Sequence, residues 1–199
     1  MDLRIPTLEE LKRVYETDYR EAFPPAEQKS LTKLRRMWEA GQYRPYCLFD
    51  GDQIVGGAFL WLAHPGWALL DYLFVTASRR NERLGPVILQ ELRRAEGPDT
   101  VIFGEVEVPA ESPDPAMAER RLGFYARNGW RHAGYETKVF GVHFQTIYLA
   151  GREVTDEELL PEHRFVYQNS FPEKTYARNI RIPYETAGAR GRSAGKTGE

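Results

Sequence analysis

Residues 69–95, LLDYLFVTASRRNERLGPVILQELRRA, restrict this chain more than any other segment. An apolar strand runs directly into a polar loop carrying Arg79 and Arg80, and then into a helix over Gly85–Glu96. Leu84, Ile88, Leu92 and Ala95 fall on one helical face, with Gln90, Glu91, Arg93 and Arg94 pointing away. A strand, a short loop and a helix start in that order aim free backbone N–H groups and the positive end of the helix dipole at one point, which is an anion site. The plain alternative is an ordinary connection with two solvated arginines, and these residues alone leave both open.

The elements around this segment indicate a mixed sheet. Thr7 with Glu10 forms a capping-box pattern, followed by Leu8, Leu11, Val14 and Tyr15 at helical spacing. A second amphipathic helix opens at Ser30 and stops at Gly41. Tyr46–Phe49, the turn Asp50-Gly51-Asp52 and Ile54–Leu62 read as a β-hairpin, and Trp67–Val75 as a third strand. Gly97-Pro98 ends the helix after the loop. Thr100–Val108 is a strand, Ala116–Asn128 a helix closed by Gly129 at the left-handed position, and Val139–Leu149 a last strand. Two helices, a three-stranded meander and a βαβ unit predict an α/β (α+β) domain with a mixed sheet over residues 1–150. Residues 151–186 start a short helix at Thr155 and are then interrupted by Pro161, Pro172 and Pro183. Their aromatics predict an extension packed on the domain, with 180–182 as an added edge strand. Residues 187–199, rich in Gly, Ala, Ser and basic side chains, are expected to be disordered.

Composition removes several classes of function. A net charge of −2 provides no basic field for nucleic acid or anionic membrane. The longest apolar runs are strand-sized, and the start of the chain lacks a secretory pattern, so a soluble cytoplasmic protein, monomer or homodimer, is expected. The single cysteine, Cys47, reads as a core strand residue. The four histidines lack metal-site spacing, so no metal is expected.

Val75-x4-Arg80-Asn81-Glu82-Arg83-Leu84-Gly85 resembles the motif V-x4-[RQ]-G-x-G-[IL]-G of the GCN5-related N-acetyltransferases. The resemblance implies a mostly antiparallel mixed sheet with flanking helices, acetyl-CoA as co-substrate, and loop amides of residues 80–85 around its pyrophosphate. It also implies that Leu73, Phe74 and Val75 present their backbone to the pantetheine arm, with a backbone N–H near Phe74 or Val75 holding the reaction's oxyanion. The chain departs from the motif where Asn81 and Arg83 replace glycines. Asn visits left-handed φ at modest cost, whereas Arg83 must swing its side chain clear. Pro86 suits a first helical turn but removes one donor.

Residues Arg120–Trp130 resemble the same family's second signature, in which a Phe-Tyr pair is followed three residues later by Gly and an aromatic. The resemblance implies that Tyr125 protonates the departing coenzyme thiolate; the Asn found seven residues earlier in many members is Ala118 here. The structural alternative makes Tyr125 a core aromatic beside Met117, Ala118 and Leu122. An amine nucleophile also needs a base. Glu105 and Glu107 share one strand face roughly 7 Å apart, and Asp71 would stand across the cleft. Any of the three could serve, and each could equally be structural, with Arg120 or Arg121 as partners for the pair. The expected activity is acetyl transfer to an amine of a small molecule or peptide. Trp61, Trp67 and the acidic pair give a weak indication of a cationic acceptor. A catalytically inactive acyl-CoA-binding or regulatory module on the same fold is the alternative.

Overall fold

The computed structural model describes residues 1–25 and 27–185; the tail expected to be disordered lies outside them. A short strand β1 (Asp2–Arg4) precedes helix α1 (Leu8–Val14), whose capping box joins Thr7 and Glu10 in both directions. The helix continues through a π turn (Tyr15–Tyr19) into α2 (Arg20–Ala22), and α3 (Leu31–Glu39) follows with Ser30 as its cap. Then come β2 (Tyr43–Asp50), β3 (Gln53–Leu62), β4 (Trp67–Val75), α4 (Leu84–Glu96) and β5 (Val101–Glu107). Helix α5 (Pro115–Arg127) leads to β6 (Arg131–Val139) and β7 (Val142–Leu149). The chain closes with α6 (Asp156–Gln168), α7 (Glu173–Asn179) and β8 (Ile180–Arg181).

All eight strands form one sheet in the order β1-β2-β3-β4-β5-β7-β6-β8, with β4–β5 as its parallel pair. The mixed, mostly antiparallel sheet is therefore as expected. One core face packs Leu11, Val14 and Tyr19 of the first helix, with α6, against Phe59, Phe74 and Phe103. The other packs Leu84, Ile88 and Leu92 of α4 against Val55, Leu60 and Ile102.

Three local expectations change. Strand β1 was hidden because three residues before a cap carry no periodicity. Residues 131–139 are a strand in their own right, ended by Phe140 and Gly141 at φ 47° and 89°. Their inward set Ala133, Tyr135, Thr137 and Val139 alternates with polar residues, and Val139 ends this strand instead of starting the next. Pro161 lies inside α6 and does not interrupt it. A lost N–H is tolerated because Leu159, His163, Val166 and Tyr167 anchor the helix on the sheet.

Gly56 is where β3 lies closest to the α4 layer. A Cβ there would stand 2.7 Å from Ile88 Cδ1 and 2.7 Å from the Phe74 carbonyl oxygen. Since the carbonyl belongs to a paired strand and cannot retreat freely, Gly56→Ala should destabilise the protein by about 1–3 kcal/mol. The midpoint of urea unfolding measures this, and an unshifted midpoint would show that the strand yields.

Candidate active site

The parallel pair β4–β5 is short. Trp67, Ala68 and Leu69 pair with Val101, Ile102 and Phe103, and beyond them the two strands are not paired with each other. Both run on: β4 stays on β3 as far as Val75, and β5 stays on β7 as far as Glu107. A V-shaped opening results, bounded by residues 70–75 on one side and 104–107 on the other. The pairing of β3 with β4 also shifts after Phe59, which opposes Tyr72 while Leu60 opposes Leu70, leaving Asp71 as the extra residue of a bulge.

Backbone direction follows from one bond. Thr76 N–H donates to Val55 O on β3 (3.1 Å), so strand alternation turns the Phe74 amide to β3 as well and the Leu73 and Val75 amides into the opening. Of the two amides considered for the oxyanion, Phe74's is thus committed to the sheet, and its ring is buried against Phe23 and Phe59.

The loop after Val75 makes a 3-10 turn (Ala77–Arg79), and then Asn81 and Arg83 both adopt left-handed φ, 71° and 59°. These are the positions where glycine was expected and is missing. Asn81 and Arg83 hold the glycine-like backbone at a cost of roughly 1–2 kcal/mol for a residue with Cβ. No side chain caps α4, so its leading N–H groups keep no side-chain acceptor. Pro86 stands in that first turn as its third residue, where its missing N–H leaves one donor fewer. Gly85 is required for another reason: a Cβ there would sit 3.1 Å from the Phe124 ring of α5. Arg79 is held by Glu82 (2.7 Å) and Asp50 (3.1 Å), and Arg80 stands 3.9 Å from Glu21, its one ion pair among the described residues.

A cavity of about 850 Å³ fills the opening, and Asp71, Leu73, Glu105, Glu107 and Tyr125 all line it. The loop residues Arg80, Asn81, Glu82, Arg83, Leu84 and Gly85, with Phe74 and Val75, are not in its wall. Residues far along the chain complete it: Glu27, Lys29 and Lys33 from the first helices, and Tyr167 and Phe171 from the α6 region.

The three carboxylates differ in what holds them. Asp71 takes both oxygens to Lys29 Nζ (2.9 and 2.7 Å) and accepts the Tyr43 hydroxyl at 2.5 Å. Lys29 in turn lies 4.4 Å over the Trp61 ring. Glu105 accepts Thr137 (2.7 Å) and Tyr167 (2.6 Å) and is 3.1 Å from His163 Nε2, whose other nitrogen is 3.0 Å from the Tyr135 hydroxyl. Burial alone would raise the Glu105 carboxyl, but the bonds from His163, Tyr167 and Thr137 outweigh it and leave it below the usual range. Glu107 accepts the Ser112 hydroxyl on one oxygen, while its other meets Arg121 only at 3.9 Å. Neighbouring Glu27 is raised by burial and then by the charge of Glu107.

Tyr125 lies edge-on to Trp130 (5.0 Å) and Phe124 (5.2 Å), and its hydroxyl has no protein partner among the described residues. Burial pushes it up to about 12, against a small lowering by Arg121. Lys29 and His163 carried no sequence signal, and Tyr167 only that of an aromatic in an extension packed on the domain. Each reaches the site from an element whose local pattern says only that it is a helix or loop.

Because the Glu105 carboxyl is lowered on folding, it contributes stability above its unfolded value of about 4.3 that is lost as pH falls through the folded value. Glu105→Gln should therefore be less stable than wild type at neutral pH, with the gap in urea-derived stability narrowing toward about pH 3. A gap constant across that range would show that ionisation of Glu105 does not contribute.

No protein-family model matches the chain. A candidate acetyltransferase, YjbC of Bacillus subtilis (strain 168), is 24% identical over 156 residues, 75% of this chain and 77% of that protein. A GNAT-family candidate acetyltransferase of Bacteroides thetaiotaomicron superposes with a TM-score of 0.67 at 20% identity, covering 82% of this chain and 95% of that one. YncA of Salmonella typhimurium, a candidate acetyltransferase solved with acetyl-CoA, gives 0.55 at 15% identity, covering 78% and 96%. The resemblance first carried by the loop and by Tyr125 thus extends to three dimensions, and the chain has the fold of the GCN5-related N-acetyltransferases.

Proposed function

We propose that this protein is an acetyl-CoA-dependent N-acetyltransferase acting on an amine by direct attack. The observation that carries this reading is the parting of β4 from β5, which puts Tyr125 and Glu107 on one cavity beside the exposed amides of β4. Support for the co-substrate comes from the same end. The left-handed Asn81 and Arg83 and the uncapped start of α4 form a nest for a diphosphate, and the unpaired Leu73 and Val75 amides offer a strand edge to an amide-bearing arm. The relatives add weight, since one structural neighbour is solved with acetyl-CoA.

Bound acetyl-CoA supplies an activated acyl group as a thioester. Glu107 takes the proton of the attacking amine, because it alone of the three acids keeps an oxygen without a close donor. Asp71 and Glu105 hold the walls. The amide of Leu73, which lines the cavity and is directed into the opening, stabilises the oxyanion. Tyr125 gives its proton to the leaving sulfur, and Arg121 is the nearby cation that eases its ionisation. A phenol held near 12 matches this task because a thiolate formed against the same dry wall is disfavoured too. Residues 1–150 carry the transferase parts in this reading, and residues 151–186 wall the acceptor end through Tyr167 and Phe171.

Acetyl-CoA at millimolar concentration should raise the melting temperature, which a protein without a coenzyme site would not show. Tyr125→Phe should keep that rise and lose about 100-fold or more in turnover measured by thiol release. Glu107→Gln should lower turnover similarly and steepen its dependence on pH, since the amine must then arrive already neutral. Full activity in both variants would refute the assigned roles, and a melting shift without turnover for any amine would favour the inactive binding module.

A further inference from the structure

Charge is unevenly spread over the cavity lining. Glu27 feels the charges of Glu107 and Arg121, while Lys29 lies over Trp61 and Lys33 over Phe171. The carboxylates on the lysine side, Asp71 and Glu105, have their oxygens taken by close donors. Lys29 is neutralised by its two bonds to Asp71. Lys33 is not neutralised. It forms no ion pair among the described residues, and its ammonium lies 4.9 Å over the Phe171 ring. Its field is set by Lys29, Asp71 and Arg36, two cations against one carboxylate, and it is half-buried. A ring face offers such a cation partial compensation, well short of a carboxylate's.

We infer that Lys33 binds the carboxylate of the acceptor, so that the substrate is an amine bearing a carboxylate, held amine-first toward Glu107. This deepens the transferase reading and rests on it for the fate of the amine alone. Three observations lead to it. The one uncompensated cation of the lining on the lysine side calls for one anion, and with Lys29 occupied by Asp71 a monoanion suffices. Glu107, with Glu27 near it, stands where the amine must be deprotonated, so the amine and the carboxylate of such a substrate would each meet an opposite charge. The aromatic face of Trp61, which alone would favour a cationic acceptor, is already covered by Lys29. Phe171 and Phe140 then flank the substrate's apolar body.

The test is acceptor binding by calorimetry with free coenzyme A present, which does not require turnover. Straight-chain α-, γ- and ε-amino acids are compared with plain alkylamines of equal length and with an aminoalkyl phosphate. The best amino acid should bind about tenfold or more tightly than its matched amine. Lys33→Met should remove that advantage and Lys33→Arg should keep it, with melting temperatures confirming that both fold. Plain amines binding as well as their carboxylated partners, or Lys33→Met retaining the preference, would overturn the inference, and tighter binding of the phosphate would replace the carboxylate with a dianion. Mass spectrometry of protein incubated with acetyl-CoA alone gives a further check. Acetylation of Lys33 itself would mark it as an acceptor and overturn its role as anchor. Selective binding of carboxylated amines without thiol release would instead count against the enzyme reading while sustaining this one.

Discussion

Everything at the site depends on two strands that stop pairing after three residues. A continuous parallel pair would cover the backbone of both strands and leave no room between them. Because β4 leaves β5 after Leu69, the outward amides and carbonyls of its last turns toward the loop have no strand partner. Leaving such groups buried and unmet costs about 1–3 kcal/mol each, so the opening is tolerable only as a water-filled cleft or a ligand-filled one. The bulge at Asp71 begins at the same level of the sheet and adds local twist. It also redirects a carboxylate that Lys29 and Tyr43 then hold from above.

The opening is kept apart by side chains that bridge layers. Glu105 ties β5 to Thr137 of β6 and to His163 and Tyr167 of α6. Asp71 ties β4 through Lys29 to the segment following α2, and that segment is pinned by the hydroxyls of Tyr19 and Tyr72, which meet the Lys29 N–H at 2.8 and 3.3 Å. Each acid that faces inward from the splayed strands therefore has a different structural environment. Two are fixed by several close donors and behave as struts. Glu107, nearest the end of β5, is the one left with a free lone pair, and the division of labour follows from hydrogen-bond occupancy more than from position along the strand.

Much of this was legible in the order of residues. The strand into Val75, the loop and the Leu84–Ile88–Leu92 stripe set the βαβ unit, and the Phe-Tyr pair placed α5. Arg83 looked like the sharp departure and Asn81 a mild one, and backbone geometry shows both carrying the left-handed turn. Illegible parts were those where information is non-local. No pattern at Lys29 points to a bulge 42 residues away. His163 lies past Pro161 with no pattern of its own, and only the fold brings it to Glu105. Strand β6 was obscured because Arg131, His132, Gly134, Glu136 and Lys138 break up its apolar set, and a hairpin with two left-handed residues at its turn looks from sequence like the start of a single strand.

Burial of Tyr125 at first weakens the case for it as an acid, since a phenol pushed up to about 12 holds its proton more tightly than one in water. The comparison that matters is with the group it must protonate. A thiolate ordinarily near 8.5 is raised by the same burial, because Leu73, Val106 and Met117 line the cavity together with Tyr125. Desolvation then acts on both anions with the same sign, and their difference changes far less than either value. A solvated tyrosine facing a buried thiolate would be the better acid, but water admitted there would also lower the thiolate and remove the need for one. The dry wall is therefore compatible with proton transfer and makes expulsion of the sulfur dependent on it, which is the condition under which a hydroxyl without any other partner has a reason to stand at that position.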